Sequence, residues 1–151
     1  MKTHTKIEGD MLTVHRIYDA SQSDVFDAWI DASKTTHWWG CGQTSKVVST
    51  IDARKNGRYQ HLMSIEGVGD HLIDGVLVEF DPPKLLAYTI PGMSEDEPML
   101  VRVTFVSVGD GTRVTLVQSA LPSALHDTVA AGWTASFERL ATFFDGARRA
   151  A

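Results

Sequence analysis

Between Ala124 and Ala147, the residues Val129, Trp133, Phe137, Leu140 and Phe144 recur at spacings of four, four, three and four. On a helix these five side chains fall on one continuous stripe, so the segment is predicted to be a long amphipathic helix. A lone helix cannot bury such a stripe. It has to lie on another layer of structure, and the rest of the chain must supply that layer. Gly132 interrupts the helical pattern at a cost of ~1 kcal/mol relative to alanine. Its place in the stripe predicts the point where the helix comes nearest to the sheet or to a ligand.

Upstream the period is two. Leu12 to Tyr18 alternates apolar and polar side chains and reads as a first strand. Six further strands are predicted over Val47 to Ile51, Arg58 to Ile65, His71 to Phe80, Leu85 to Ile90, Leu100 to Val106 and Arg113 to Gln118. Turn signals separate them: Asn56-Gly57, Gly67 to Gly69, Asp81-Pro82-Pro83, Pro91-Gly92 and Gly109-Asp110-Gly111. Connections this short indicate an antiparallel meander, because a parallel crossover needs a dozen or more residues. Ser94 to Pro98 is acidic and breaks the pattern, and it reads as a surface loop. Between the first strand and the rest, Ser21 caps a helix whose stripe is Val25, Phe26, Trp29 and Ile30, with Asp24 in the first turn. A second short helical turn is predicted over Ser33 to Trp39, with Ser33 as its cap, ended by Gly40-Cys41-Gly42.

At 151 residues, 43% hydrophobic and 22% charged, the chain has the size and composition of a single globular domain spanning 1–151. A net charge of −5 argues against a nucleic-acid partner, which needs a basic face. The single cysteine excludes an intrachain disulfide, Met1 to Asp10 is too polar for a signal peptide, and no stretch reaches the ~20 apolar residues of a membrane span. A soluble, cytoplasmic protein is expected.

The order strand, two short helices, six strands and long helix resembles the helix-grip fold of the START-like SRPBCC superfamily, an α+β class. Ala20 to Trp39, with Val25-Phe26-Asp27-Ala28-Trp29 and then Trp38-Trp39-Gly40, resembles the opening of the branch related to activators of the heat-shock chaperone ATPase. Gly57-Arg58-Tyr59, Gly75-Val76-Leu77-Val78-Glu79, Asp81-Pro82-Pro83-Lys84-Leu85 and Gly111-Thr112-Arg113-Val114-Thr115-Leu116 are similar to later motifs of that branch, in the same order. Gly132-Trp133 with Leu140 is similar to its final helix. The resemblance implies a curved antiparallel sheet wrapped around the long C-terminal helix, with an apolar or amphipathic small molecule between them. Some members of the superfamily are cyclases or hydrolases. No additional segment resembles the chaperone-docking region of the eukaryotic cochaperone, so a chaperone partner is not carried over with the fold.

Strand parity selects the residues that face that space. Tyr59, His61, Met63 and Ile65 share one face of their strand, and Arg58, Gln60, Leu62 and Ser64 share the other. Tyr88, flanked by Leu86 and Ile90, and Phe105, with Val101 and Val103, extend the inner face, and Trp133 and Phe137 meet it from the helix. The candidate ligand-binding set is therefore Tyr59, His61, Met63, Tyr88, Phe105, Trp133 and Phe137. An apolar wall with a few polar tips suits a small apolar or aromatic ligand, and the same side chains equally suit a filled core.

The alternative is an enzyme of cyclase or hydrolase type using His61 or His71, which lie on consecutive predicted strands and could face each other across the hairpin, as a base, with Asp70 or Asp74 nearby. A chaperone ATPase co-regulator is a third reading. Histidines 4, 15, 37, 61, 71 and 126 show no metal-ligand spacing, and Cys41 has no second cysteine, so neither a metal nor another cofactor is expected. His37 is the only local candidate in sequence for a cation that activates the Cys41 thiol. Trp38 and Trp39 read as packing anchors of the short helix at one mouth of the cavity, with a gate or an interface anchor as the alternative for at least one of them. Exposed sheet edges would permit a homodimer.

Overall fold

The computed structural model describes residues 2–94 and 97–150. Eight antiparallel strands form one sheet: β1 (His4–Glu8), β2 (Met11–Tyr18), β3 (Thr44–Ile51), β4 (Arg58–Ile65), β5 (Gly69–Asp81), β6 (Leu85–Ser94), β7 (Glu97–Val108) and β8 (Gly111–Ser119). Their spatial order is β1-β2-β8-β7-β6-β5-β4-β3. The meander from β3 to β8 runs in sequence order, and β2 returns to pair with β8, so the chain between β2 and β3 must span the sheet. Two short helices do this, α1 (Gln22–Ile30) and α2 (Ala32–Thr35). The long helix α3 (His126–Ala150) follows one turn of 3₁₀ helix at Ser123–Leu125. This is the helix-grip arrangement expected of an α+β chain.

The sheet has one strand more than the alternation predicts. β1 pairs with β2 at the outer edge, and all five of its residues are exposed. With no buried face, its side chains have no reason to alternate, and the periodicity that reveals the other strands is missing. The arm is tied down by polar contacts instead: Arg16 reaches Thr3 at 3.0 Å and Glu138 on α3 at 2.5 Å.

β6 also runs past the predicted break at Pro91-Gly92. Pro91 lacks the amide that a ladder needs, and the register shift between Ile90 and Ser94 sits at that place. Ser94 and Glu97 pair across the β6–β7 hairpin rather than forming a loop, and positions 95–96 of the predicted loop lie outside the described residues. The Ser21 cap is as expected, its hydroxyl accepting from the Asp24 amide. The second helix is capped by Asp31, which accepts from the Ser33 amide at 2.9 Å, so Ser33 lies inside the helix and not at its cap.

The inner face is the apolar one predicted by parity. Tyr59, His61 and Met63 are buried while Arg58 and Leu62 are exposed. Leu86, Tyr88, Val101, Val103, Phe105, Val114 and Leu116 continue it, and Phe137 and Leu140 of α3 close over it. Fully burying a side chain of this size stabilises by roughly 1.5–3 kcal/mol, so this shared layer is the main reason the helix stays on the sheet. One buried polar contact fixes their spacing. Ser136 of α3 donates to the Gly40 carbonyl at 2.6 Å and accepts from the Gly40 amide at 3.1 Å.

Candidate functional site

The candidate site is an aromatic layer built from five parts of the chain. β4 contributes Tyr59 and His61, β6 Tyr88, α1 Trp29, and α3 Trp133 and Phe137. Trp39, just beyond α2, sits at the centre. Its ring is stacked on His61 with centroids 3.7 Å apart, and it packs edge-on against Tyr59 (5.7 Å) and Trp133 (5.3 Å) and tilted against Tyr88 (6.2 Å). Trp29 continues the layer to Phe105 (6.1 Å), Phe137 (6.2 Å) and Trp133 (6.1 Å, nearly parallel).

Gly75 explains how two tyrosines fit on adjacent strands. It occupies the inner-face position of β5 opposite Tyr59, and a Cβ there would lie 2.6 Å from the Tyr59 carbonyl and 3.2 Å from the Tyr88 ring. The absence of a side chain leaves that space to the rings, whose centroids are 4.7 Å apart.

The polar tips divide into two groups. Four are satisfied by the protein. Tyr18 donates to the Phe137 carbonyl, Tyr59 to the Trp29 carbonyl at 2.7 Å, Trp38 to the Ala28 carbonyl, and Trp133 to Gln118 Oε1. Three others, Trp29 Nε1, His61 Nε2 and the Tyr88 hydroxyl, are buried and reach no hydrogen-bond partner among the described residues. All three belong to rings that pack on Trp39. Most buried polar groups in proteins find a partner, and each one left alone costs about 1–3 kcal/mol.

Burial sets the protonation of these groups. It lowers His61 to about 3, so the imidazole is neutral at physiological pH. It also holds Tyr59 and Tyr88 well above the usual phenol range, Tyr88 further through its neighbour Tyr59. The other ring nitrogen of His61, Nδ1, lies 2.8 Å from Ser49 Oγ, which itself lies 2.6 Å from Thr35 Oγ1.

Of the seven residues selected from sequence, Tyr59, His61, Tyr88 and Trp133 meet around Trp39, and Phe137 touches Trp133 and Trp29. Phe105 packs between Trp29 and Phe26, deeper under α1. Met63 lies beyond the rings, its sulfur 3.9 Å from Thr44 Oγ1. Trp29 and Trp39 are members of this layer that the sequence selection left out. Trp29 reads as core because it lies on the α1 stripe. Trp39 reads as an anchor at the mouth, yet it is only 4% exposed and is the hub of the layer.

Three chemical expectations are corrected. His61 and His71 do not face each other: His61 is opposite Ile73, and the exposed His71 is opposite Met63. Asp70 and Asp74 are exposed, accepting from Ser64 and Gln60, so neither serves His61 as an acid partner. The cation near Cys41 is Arg139 and not His37, which stacks on Phe143. Burial pushes the Cys41 thiol up, but the Thr44 hydroxyl, backbone amides and Arg139 outweigh it and hold the thiol below its usual range. Gly132 approaches Cys41, where a Cβ would make an ordinary 3.8 Å contact, and so it does not mark the closest point between helix and sheet.

Elsewhere, an open cleft of about 570 Å³ lies on the outer face of the sheet, lined by residues such as Arg54, Arg58, Gln60 and Asp74. None of the seven selected residues borders it. Its polar walls are solvated, with Arg54 already paired to Asp52 at 2.6 Å. Among the described residues no three His, Cys, Asp or Glu side chains gather as a metal-binding set, and no helix is long and apolar enough to cross a membrane.

Solved structures share this architecture. A Nitrosomonas europaea protein superposes with a TM-score of 0.81 at 16% identity, covering 95% of this chain and 99% of its own. A Chromobacterium violaceum protein gives 0.76 at 23% identity over 88% and 95%. The AHSA1 protein of Silicibacter pomeroyi gives 0.77 at 20% identity over 89% and 97%. No curated protein matches the chain. The family described as Activator of Hsp90 ATPase homolog 1-like protein matches residues 19–145, which hold both the α1–Trp39 segment and most of α3, and the chain belongs to that family.

Proposed function

We propose that this protein is a small-molecule-binding domain that holds an apolar, aromatic ligand between the sheet and α3. The observation that carries the reading is the group of three buried polar tips, on Trp29, His61 and Tyr88, left without partners inside an aromatic wall. A core needed only for stability is better filled by phenylalanine or leucine, which bring no desolvated polar atom. An apolar wall with a few convergent polar groups is the usual form of a ligand site.

Trp133, on the first half of α3, is the one ring of the layer that is not fully buried, and so it offers the way in. Its ring is nearly parallel to that of Trp29, with centroids 6.1 Å apart. Two stacking contacts at van der Waals distance need about 7 Å. A shift of α3 by about an ångström would therefore let a planar ring slide between the two indoles.

Acid–base catalysis by His61 has little support, because a base lowered to about 3 takes up few protons near neutral pH. The test is tryptophan fluorescence and thermal melting with the two-ring compounds tetralin and 1-tetralone. A saturable change in indole emission with a raised Tm is expected. Unchanged emission and an unchanged Tm with both compounds would overturn the reading.

A further inference from the structure

The orientation of hydrogen bonds leading to His61 says which kind of polar group the site accepts. Thr35 Oγ1 lies 2.6 Å from Ser49 Oγ and 3.4 Å from the Ala32 carbonyl. Only the first distance falls in the range of an O–H···O hydrogen bond, so the one Thr35 proton goes to Ser49. Ser49 then has its own proton to give, and His61 Nδ1 lies 2.8 Å away to accept it. A neutral imidazole that accepts at Nδ1 carries its proton on Nε2. The orphaned Nε2 is therefore an N–H donor.

The other two orphans are donors as well. The indole Nε1 of Trp29 can only donate, and a protonated Tyr88 hydroxyl has a proton to give. No cation accompanies them. The buried polar side chains of the described chain are Thr35, His61, Thr112, Gln118 and Ser136, with no lysine or arginine among them. A buried carboxylate or phosphate would have no counter-charge and would face the full desolvation cost.

We infer that the site is built for an uncharged, planar molecule carrying a carbonyl oxygen, which takes its hydrogen bonds from His61 Nε2 with Trp29 Nε1 or the Tyr88 hydroxyl. This rests on the binding function proposed above and adds the chemistry of the ligand. Stacking on Trp39 holds the imidazole plane, and the Thr35–Ser49 relay fixes its tautomer. Thr35 and Ser49 are thus positioning residues that act through His61.

The test has two independent readouts on the intact protein. In ¹⁵N-histidine-labelled protein at neutral pH, His61 should carry its proton on Nε2, and a proton on Nδ1 would overturn the inference without any ligand. In fluorescence titrations, 1-tetralone should bind at least about tenfold more tightly than tetralin, which has the same rings and no acceptor. In His61→Phe that ratio should fall below about threefold. Equal affinity for the two compounds would overturn the carbonyl assignment, with water serving the donors instead, and would leave the binding reading intact. Binding of 1-naphthoate as tightly as 1-tetralone would overturn the requirement for an uncharged ligand. Failure of both neutral compounds to bind would overturn the binding reading and this inference together.

Discussion

Burying His61 in a neutral state makes the fold sensitive to acid well above the range where carboxylates titrate. The imidazole has an ordinary value of 6.5 and is lowered by burial to about 3 in the folded chain. The unfolded chain therefore takes up the proton first. The stability linked to this group is complete above pH ~6.5 and is lost progressively as the pH falls toward the folded value. At pH 5 the unfolded imidazole is almost fully protonated and the folded one is neutral. The difference amounts to about 1.5 pH units of linkage, or about 2 kcal/mol relative to pH 7.5.

Urea denaturation at those two pH values measures it. With a slope of roughly 1–3 kcal/mol per molar, the midpoint should drop by about 1 M in the parent protein. His61→Phe keeps a ring against Trp39 and removes the titrating group, so most of that drop should vanish whatever the variant does to stability at pH 7.5. His61→Gln provides the same comparison if the phenylalanine variant folds poorly. Other groups leave the window nearly clear. Burial raises the Glu138 carboxyl but hydrogen bonds from Arg16 and Thr3 outweigh it, Ser33 hydrogen bonds lower Asp31, and both are held below the usual carboxylate range, so their losses begin at lower pH. His15 is lowered too, by burial and then by His4 and Arg113, but it is largely exposed and is present in both proteins. Equal pH dependence in parent and variant would refute the claim that His61 is buried uncharged.

Removing the Tyr59 hydroxyl should cost about 1–2 kcal/mol in chemical denaturation, because it strips the donor from the Trp29 carbonyl, whereas Tyr88→Phe should be neutral or stabilising, since that hydroxyl has no partner to lose. A larger loss for Tyr88→Phe than for Tyr59→Phe would contradict the division of the tips. Ser136→Ala deletes both hydrogen bonds to Gly40 in a buried setting and should lower stability by about 1–3 kcal/mol, with hydrogen exchange rising in α3; unchanged exchange there would count against Ser136 as the clamp. Gly75→Ala places a Cβ 2.6 Å from the Tyr59 carbonyl, so a drop in Tm accompanied by altered near-ultraviolet circular dichroism is expected, and a native Tm would show that the ring layer tolerates a side chain there.

The parts of this protein legible in the sequence are those where one residue's environment repeats along an element. Parity placed Tyr59, His61 and Met63 on the inner face because β4 has a buried side and a solvated side throughout. Helical spacing placed Phe137, Leu140 and Phe144 together for the same reason. β1 has no buried side, and so nothing in its five residues announced a strand. Asp31 and Ser33 are both good capping residues two positions apart, and only the backbone at Asp31 decides between them. The hub was hidden for another reason. Trp39 belongs to no periodic element, and what brings it onto His61 is the turn after α2 together with the clamp from Ser136 to Gly40, ninety-six positions away in the chain. The relay through Thr35 and Ser49 joins α2, β3 and β4, and no spacing in the sequence encodes a meeting of three elements.

On the proposed binding function, the aromatic layer serves two demands that pull in opposite directions. For stability, His61, Trp29 and Tyr88 are poor choices, each leaving a polar atom buried without a partner at about 1–3 kcal/mol. Phenylalanine at Trp29 or Tyr88 would remove that polar atom outright, whereas at His61 it would also leave the Ser49 hydroxyl without its acceptor. For recognition they are good choices, since a donor held in a dry, rigid wall loses little entropy and competes with little water when an acceptor arrives. The two demands give opposite signs for the same substitutions. Tyr88→Phe should leave the free protein as stable as the parent or more so, and together with Trp29→Phe, which removes both candidate second donors, it should weaken the hold on a carbonyl compound relative to the matching hydrocarbon. A layer that only filled the core would show the first effect without the second.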